Sequence, residues 1–382
     1  MSRTTRSTRT FLTLGGSLAL GAATLVAGPT SSAAPAPPSP RSVAHGLNSP
    51  RLLSFGPDGA LYVAEAGTGG SGPCVTGDTG PVCFGSTGSV TRVKHGHQNR
   101  VLAGLPSLAG AKGAEPIGPA DVQVLRRGRY VLSIGIGQDI KARDSLGAAG
   151  RRMGTWVTGR FGHRSRVLAD ILAFETRANP DHSKAHDSDP TGIVVSRRSV
   201  VGTDSGGNTL LRARRHHLTP RTRALAVFPD VTVTEPPPPV GPGGTGPMQA
   251  VPTSVTTLHH GAYYVSQLTG FPFPVGAAHI FRVVPGHAPT VWASGLTNVT
   301  DLTWSHGRLY AVQIADGGLL SAKPGTLPQG SLVRVHRGDN STEDTVAHLP
   351  APYGVAIRHG SAYVTTCTVC AGGGGVSRIR LP

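Results

Sequence analysis

The feature that most constrains this 382-residue chain is a motif that recurs six times. Each copy has an alternating apolar segment, a short turn, a second apolar segment and then a third; the first copy begins at Pro50 and the last at Pro352. Alternation with a period of two indicates β-strands bounded by turns. Because one such unit cannot bury its own apolar face, repeated units must pack against their neighbours. The motif therefore predicts six small sheets that stack on one another.

A fourth apolar segment shows how the stack ends. It follows the first five units, as at Val101–Leu105, but not the sixth; its remaining copy, Val43–Leu47, precedes the first unit. In a closed ring the N-terminal strand would complete the last sheet, and no open sheet edge would remain. We therefore predict an all-β fold: one six-bladed β-propeller over residues 41–382, closed by an N-terminal outer strand.

The composition agrees with this architecture. The chain has 53 Gly and 32 Pro, which would interrupt any long helix and so disfavour a helix bundle or a coiled coil. Charged residues make up only 15%, which is too few for a solvated disordered chain. Short strands joined by tight turns fit both values.

The first 36 residues resemble an export signal. Arg3, Arg6 and Arg9 precede the uncharged segment Phe11–Ala27, and small residues with Pro follow. This order is typical of a secretory signal peptide, and we expect cleavage between residues 27 and 36. An uncleaved N-terminal anchor is the alternative, although the segment is only weakly apolar. We expect a secreted, extracellular protein with no membrane span after processing.

The net charge limits which kinds of partner the protein is expected to bind. The formal charge is +16, and it falls to +13 once Arg3, Arg6 and Arg9 are removed with the signal. The Arg residues are scattered, without the aromatic interleaving of a nucleic-acid site, so no specific nucleic-acid binding is expected. We expect a monomer that binds a small molecule or a cell-wall polymer. An adhesion module held to the wall by its charge is a further hypothesis.

Four cysteines in an exported chain indicate disulfides. Three pairings are possible. We favour the local ones, Cys74 with Cys83 and Cys367 with Cys370, because each pair lies within one Gly-rich segment. A zinc site built from all four would need thiolates, and its first spacing is too wide.

Loop lengths predict a working face. Loops between second and third strands, and those between one blade's fourth strand and the next blade's first, open on the same side of a propeller; we call this side the long-loop face. Turns on the opposite side, such as 259–261, are short. Long loops on a rigid scaffold usually carry binding. The long segments are 66–88, 136–152, 268–278, 314–330, 106–118, 172–189 and 230–251.

Several segments resemble the ScyD/ScyE family of secreted, NHL-like propellers. They include residues 49–67, 70–75 and 248–255, and the distinctive L-T-G-F-P-F-P-V-G-A-A at 268–278. The resemblance spans the mature chain and implies the propeller fold. Most actinobacterial members have no assigned activity, although the family name refers to scytonemin biosynthesis. This chain has Gln267 and Gln313 where the family usually has Glu.

One polar position recurs where each second strand ends. Alignment of the units gives a ring near the mouth of the central channel, which we propose as a ligand-binding site for a sugar, a lactone or a cation. The alternative is that these groups hydrogen-bond loop backbone and channel water. The ring residues are Glu65, Ser133, Asp204, Gln267, Gln313 and Thr366.

The ring leaves catalysis open. No nucleophile elbow, phosphate loop or H-E-x-x-H motif is present, so no catalytic residue is assigned. No cofactor is required, but a lactonase-type propeller would bind Ca²⁺ or another divalent cation through carboxylates. The candidate metal ligands are Glu65, Asp121, Asp204 and Asp301.

A second group of possible metal ligands lies within the long segment 172–189. Asp and His clusters can hold metal ions. In this segment we expect solvated side chains instead. The residues are Asp181, His182, His186, Asp187 and Asp189.

Overall fold

A computed structural model of the protein describes residues 39–215, 222–234, 245–258, 261–323, 325–338 and 344–382. The predicted signal segment, residues 1–36, lies outside the described residues. None of the helices in these ranges has the length and apolar character needed to cross a membrane.

The described residues form mostly β-strands. In chain order the strands are β1 (Arg41–Leu47), β2 (Pro50–Phe55), β3 (Leu61–Glu65), β4 (Cys74–Thr76), β5 (Pro81–Lys94), β6 (His97–Ala109), β7 (Pro119–Val124), β8 (Arg129–Ile134), β9 (Thr155–Arg160), β10 (Arg166–Asp170), β11 (Pro190–Val195), β12 (Ser199–Asp204), β13 (Thr209–Arg214), β14 (Thr222–Val227), β15 (Val231–Thr234), β16 (Thr245–Met248), β17 (Pro252–Leu258), β18 (Ala262–Gln267), β19 (Ala278–Val283), β20 (Thr290–Leu296), β21 (Val299–Ser305), β22 (Arg308–Gln313), β23 (Gln329–Val335), β24 (Asp344–Pro350), β25 (Val355–Arg358), β26 (Ser361–Thr366) and β27 (Gly374–Arg380).

Six sheets of these strands are the blades, and the predicted six-bladed β-propeller is confirmed. Blade 1 contains β2, β3, β5 and β6, with β4 added beside β5. Blades 2 to 5 are β7–β10, β11–β14, β17–β20 and β21–β24. Blade 6 has the order β1-β27-β26-β25, so its outer strand comes from the start of the described chain.

Short helices lie in the connections. Two α-helices, α1 (Ile140–Ser145) and α2 (Gly147–Gly150), follow β8, and α3 (Ile171–Ala178) follows β10. One-turn 3₁₀ segments cover Ala111–Gly113, Arg126–Gly128 and Leu319–Ser321. Asp139 and Asp170 cap α1 and α3, because each side chain accepts a backbone N–H of the first turn.

Neighbouring blades are joined near the axis by a ring of hydroxyl hydrogen bonds. At each of the six interfaces a Ser or Thr hydroxyl donates to a backbone carbonyl of the next blade. Each bond satisfies a polar group in a buried position, so the ring fixes the blades to one another without leaving an unpaired acceptor. The six bonds are Ser54 to Val122, Ser133 to Pro190, Ser205 to Pro252, Thr253 to Val299, Thr300 to Tyr353 and Thr365 to Arg51.

Apolar side chains fill the space between blades. Blades 4 and 5, for example, share one cluster that includes Ile280, Leu296 and Leu302, all buried. Similar clusters join the other neighbouring pairs. Central strands such as β3 and β8 are buried at nearly every position, so both faces of each sheet contribute to the core.

The connections on the long-loop face contain more structure than the sequence indicated. Segment 66–88 holds β4 and the start of β5, and the Cys74–Cys83 disulfide joins those two strands at opposite positions of the ladder. The predicted Cys74–Cys83 pairing is confirmed. A Cys367–Cys370 disulfide lies in the last connection. Segment 172–189 begins with α3, and segment 230–251 contains the hairpin of β15 and β16.

Candidate functional site

The polar residues at the ends of the second strands make hydrogen bonds of their own within the protein. Glu65 is fully buried, and its carboxylate accepts the N–H of Asn48 and the hydroxyls of Ser89 and Thr91 while pairing with Arg100. Burial alone would raise the pKa of Glu65, but the hydrogen bonds from Arg100, Thr91 and its other partners hold it below the ordinary value. Glu65 is therefore an ionised structural acceptor.

Three ring positions hold the chain as it enters a blade. Glu65 accepts the N–H of Asn48, Asp204 that of Asp189 at 2.7 Å, and Gln313 that of Thr297. Each donor lies just before an inner strand, so the acceptor fixes the position where that strand begins. Thr366, at the end of β26, is half-buried.

The remaining two ring residues differ. Gln267 accepts the N–H of His279 at 3.0 Å, within its own blade. Ser133 pairs with Asp121 in the ladder, whereas Pro119 pairs with Ile134. In blades 1, 3, 4 and 5 the residue that pairs with the first Pro or Val of the inner strand is the polar one, as Pro50 opposite Glu65 shows. The equivalent of Glu65 in blade 2 is thus Ile134, one residue after Ser133.

The central channel is lined by the inner strands β2, β7, β11, β17, β21 and β25. It contains a cavity of about 280 Å³ to which all six strands contribute. Its lining contains both aliphatic and polar side chains, and polar atoms make up most of the surface that faces the cavity; the polar groups include Asp121, Gln123, Ser254 and Asp301. The cavity is therefore more polar than an ordinary small-molecule site, whose walls are mostly apolar.

Asp121 and Asp301 occupy equivalent positions three blades apart. Asp121 accepts the N–H of Ile193 in the next blade at 2.8 Å, and Asp301 accepts that of Val355 at 2.7 Å. Asp301 also accepts the hydroxyl of Ser254 at 2.6 Å. Both carboxyls are almost fully buried. Burial raises the pKa of each to about 7, and the charge of Asp301 adds to the rise for Asp121.

Glycine allows the inner strands to approach closely at this level. A Cβ on Gly192 would lie 2.7 Å from the Cα of Ser254, and one on Gly354 would lie 2.8 Å from the Cα of Leu52. Both distances are shorter than side chains tolerate. Gly192 and Gly354 lie one blade after Asp121 and Asp301, respectively. Because the strands approach closely there, each carboxyl accepts the N–H of the residue that follows the glycine.

At the long-loop end of the channel a second polar group is formed by Arg51, Tyr353 and Asp189. The guanidinium carbon of Arg51 lies 4.8 Å from the ring centroid of Tyr353. Burial raises the pKa of Asp189 to about 6, although the charge of Arg51 opposes the rise. All three residues are half-buried and so are reached by solvent. Sequence analysis named Asp189 but did not place it beside Arg51 and Tyr353, because the three residues belong to three different blades.

A separate groove of about 790 Å³ lies between blades 6 and 1. Its lining includes Arg41, Lys94, Arg358 and Arg378, and the last two stack on Phe55 and Tyr363 respectively. We call it the basic groove. Its four cations outnumber the one carboxylate in the lining, Asp58, which suits the groove to an anionic ligand.

Comparison with known proteins supports the fold. No protein-family model matches the chain, and no curated protein is significantly similar to it. A protein of unknown function from Bacteroides thetaiotaomicron is similar in structure, with a TM-score of 0.50, 10% identity and coverage of 90% of this chain and 72% of that one.

Two further solved structures are similar at lower TM-scores. The PQQ-bound aldose sugar dehydrogenase of Streptomyces coelicolor has a TM-score of 0.48 and 12% identity, with coverage of 90% of this chain and 99% of that one. A protein provisionally described as a gluconolactonase has a TM-score of 0.48 and 10% identity, with coverage of 90% and 92%. At these identities the likenesses concern the fold alone.

Proposed function

We propose that this protein is an extracellular carbohydrate-binding propeller of the ScyD/ScyE type, which binds an extended glycan on its long-loop face. The observation that carries the proposal is the position of its exposed apolar side chains. In the described ranges eight large apolar side chains are exposed, and five of them lie in loops between second and third strands of blades 4 to 6. The five are Phe271, Val275, Leu320, Leu327 and Val369.

Two of these loops contact each other. A Cβ on Gly318 would lie 3.0 Å from the carbonyl oxygen of Phe273 and 3.5 Å from a methyl group of Val275. The side chain of Asn298 accepts the N–H of Leu319 and donates to the carbonyl of Leu268, which joins the loops from below. An exposed apolar surface on braced loops is typical of an interaction site.

The chemistry of the face suits a sugar. The ring of Phe271, which is 40% exposed, offers a flat apolar surface for the C–H face of a pyranose. Near the axis the same face presents the carboxyl of Asp189 and the side chains of Arg51 and Tyr353 as partners for hydroxyl groups. Such a combination of apolar contact area and a few polar groups is how proteins hold small polar ligands.

Binding to cell-wall polysaccharide tests the proposal. We expect Phe271→Ala to weaken binding about tenfold, because loss of a central aromatic contact costs more than 1 kcal/mol. The matched control is Val291→Ala, which removes a side chain of similar exposure (47%) from the outer strand β20. The measurement is a pull-down isotherm on purified wall polysaccharide, repeated with soluble oligosaccharides by calorimetry.

Salt separates this proposal from attachment by charge. Glycan binding through Phe271 should change little as ionic strength increases, whereas binding by net charge should fall steeply. Binding that persists in Phe271→Ala and is lost in Lys94→Ala would place the ligand in the basic groove and contradict the proposal.

A metal-dependent lactonase or esterase is the second candidate, and the Asp121 and Asp301 pair favours it. A carboxyl with a pKa of about 7 is suited to proton transfer near neutral pH. If this function is correct, lactones or aryl esters are hydrolysed in the presence of a divalent cation, and Asp121→Asn lowers kcat by about 100-fold or more. The control is Asp144→Asn, which removes an exposed carboxyl group from α1. Absence of turnover on both substrate classes, with and without Ca²⁺, would remove this candidate.

A further inference from the structure

A buried carboxylate without a partner lies between blades 2 and 3. Glu175 is the fifth residue of α3, and its side chain is fully buried. Neither of its two carboxylate oxygens has a hydrogen-bond partner. An ionised carboxylate buried here without a partner costs several kcal/mol. The protein avoids this cost if the group is protonated or coordinates a cation. Glu175 therefore requires an explanation that the propeller fold does not supply.

Three other acidic side chains surround Glu175. Burial raises its pKa to about 8, and the negative charges of Asp204, Asp181 and Asp187 add to the rise. Asp204 and Glu175 both approach Gly207: a Cβ on this residue would lie 2.6 Å from Oε2 of Glu175 and 3.2 Å from Oδ2 of Asp204. The glycine therefore allows two carboxyl groups to come together against the backbone.

More unpaired oxygens lie in the same loop. Oδ1 of Asn179 and Oδ1 of Asp187 are both buried without a hydrogen-bond partner. Asp181 accepts the amide N–H of Asn208 at 3.0 Å, which holds this carboxylate against the turn between β12 and β13. In the described part of the chain, no Lys, Arg or His forms an ion pair with any of these four carboxylates. The local negative charge is thus uncompensated, although the whole chain is strongly basic.

We propose that Glu175, Asn179, Asp181, Asp187 and Asp204 form a Ca²⁺ site. Ca²⁺ accepts about six to eight oxygen ligands from carboxylates, amide oxygens, backbone carbonyls and water, and it tolerates irregular geometry. The unpaired groups are all oxygens, which favours Ca²⁺ over softer ions that prefer imidazole or thiolate. His182 is exposed, and the Nε2 of His186 lies beside the side-chain amide of Asn179 at 3.4 Å.

The ligands are not yet gathered around one point. Within the described ranges no three His, Cys, Asp or Glu side chains stand in an arrangement that already holds a metal ion. A bound cation would draw the loop carboxylates of Asp181 and Asp187 toward Glu175 and Asp204. It would thereby tie α3 of one blade connection to the β12–β13 turn of the next blade. Because Asp189 follows this loop directly, the site would also brace the polar group at the channel mouth.

Titration of the metal-free full chain with CaCl₂ tests the site. After treatment with EDTA, calorimetry should show one site with a Kd at or below about 1 mM, the range of extracellular Ca²⁺ modules. The melting temperature should rise with Ca²⁺ concentration, because the ion binds the folded state only. MgCl₂ at the same concentrations should produce a smaller rise, since Mg²⁺ demands a regular octahedron.

Glu175→Gln separates a metal ligand from a structural residue. Without Ca²⁺ and above pH 8, where Glu175 is ionised, this variant should melt higher than the wild type, because the substitution removes repulsion among the carboxylates. With Ca²⁺ it should lose the wild-type rise and weaken binding at least tenfold. Asp187→Asn should also weaken binding, while Asp144→Asn, an exposed carboxyl on α1, should leave it unchanged.

Two results would overturn the proposal. One is the absence of both binding heat and a melting shift up to about 10 mM Ca²⁺, well above the expected Kd; Glu175 would then be a protonated core residue. The other is Ca²⁺ binding that is unaffected by Glu175→Gln and lost in Asp121→Asn or Asp301→Asn, which would place the ion in the central channel. Neither result depends on glycan binding, so the proposed function stands or falls separately.

Discussion

A chain that begins at Asn48 should fail to fold cooperatively, whereas one that begins at Arg41 should melt like the mature protein. The difference between the two is β1. In the structure β1 lies antiparallel to β27 and buries Ala44 and Leu47 between blades 6 and 1. We expect a loss of about 5 kcal/mol or more from the apolar contacts and the ladder together, which is a large part of the stability of an ordinary domain.

Strand β1, which the shortened chain lacks, also connects blade 6 to blade 1. Gln98 of β6 forms two hydrogen bonds with the backbone of His45, and Arg100 donates to the carbonyl of Gly46. Without β1 Gln98 loses both of these bonds and Arg100 loses one, and the edge of β27 is exposed to pairing with other molecules. The shortened chain should therefore aggregate as well as melt early.

A peptide of residues 39–49 provides the decisive measurement. Added to the shortened chain, it should restore the melting temperature in a concentration-dependent way, because it binds only the folded state. A peptide of the same composition in scrambled order is the control. If the shortened chain melts within a few degrees of the control chain, β1 contributes little to stability and the importance assigned to this pairing is wrong.

The fold was predictable because the repeat shows which side chains pack in the core. The alternation in each unit shows which side chains enter the core, and the displaced copy at Val43–Leu47 indicated the outer strand that now pairs with β27. Both signals depend on the period with which apolar side chains recur, and this period is read directly from the sequence. The long connections do not share this repeat, so it gave no indication of α3 or of the β15–β16 hairpin.

The ring of polar positions was harder to predict because one blade has no polar residue there. The inner strands of blades 1 to 5 all change register by one residue near their start, so this bulge does not set blade 2 apart. The spacing from Pro119 to Ile134 equals that from Pro50 to Glu65. Because Ile134 is apolar, the search for a polar residue selected Ser133 beside it, although Ile134 occupies the equivalent place in the ladder.

Sites formed by residues that are distant in the chain could not be predicted from the sequence either. Arg51, Asp189 and Tyr353 lie far apart in the chain and meet only because the ring closes over them. Glu175 gave no signal either, since a single Glu in a long connection is ordinarily solvated. The loop residue Asp187 was expected to be solvated, yet one of its carboxylate oxygens is buried without a partner.

The channel carboxyls should make the protein less stable as pH rises from 4 to 7. Asp121 and Asp301 each have an ordinary pKa of 3.8 that burial raises to about 7 in the folded state. Between these values the folded protein binds more protons than the unfolded chain, so the free energy of unfolding falls with increasing pH. For one carboxyl shifted by this amount, the fall approaches about 4 kcal/mol across the window. It is complete once the pH exceeds the folded pKa.

Asp121→Asn isolates the contribution of one carboxyl. Its amide oxygen can still accept the N–H of Ile193, while its nitrogen faces Gln123, whose own amide can turn to accept. Urea unfolding of the two proteins in EDTA, from pH 4 to pH 8, should therefore give a flatter profile for the variant and a crossing point above which it is the more stable protein. Asp144→Asn should parallel the wild type.

Other groups affect both proteins alike. Asp189 and Asp204 carry raised pKa values of about 6 and 7, so they lower stability over the same window in both, and the difference between the profiles cancels them. Glu65, whose pKa is lowered from its ordinary value of 4.5, acts only at the acid end of this window and below it, and in the opposite sense. A wild-type profile that rises from pH 4 to pH 7, or a variant profile parallel to it, would mean that Asp121 is ionised in the folded channel. The channel would then hold a fixed negative charge at all these pH values and would attract a cation instead of exchanging a proton.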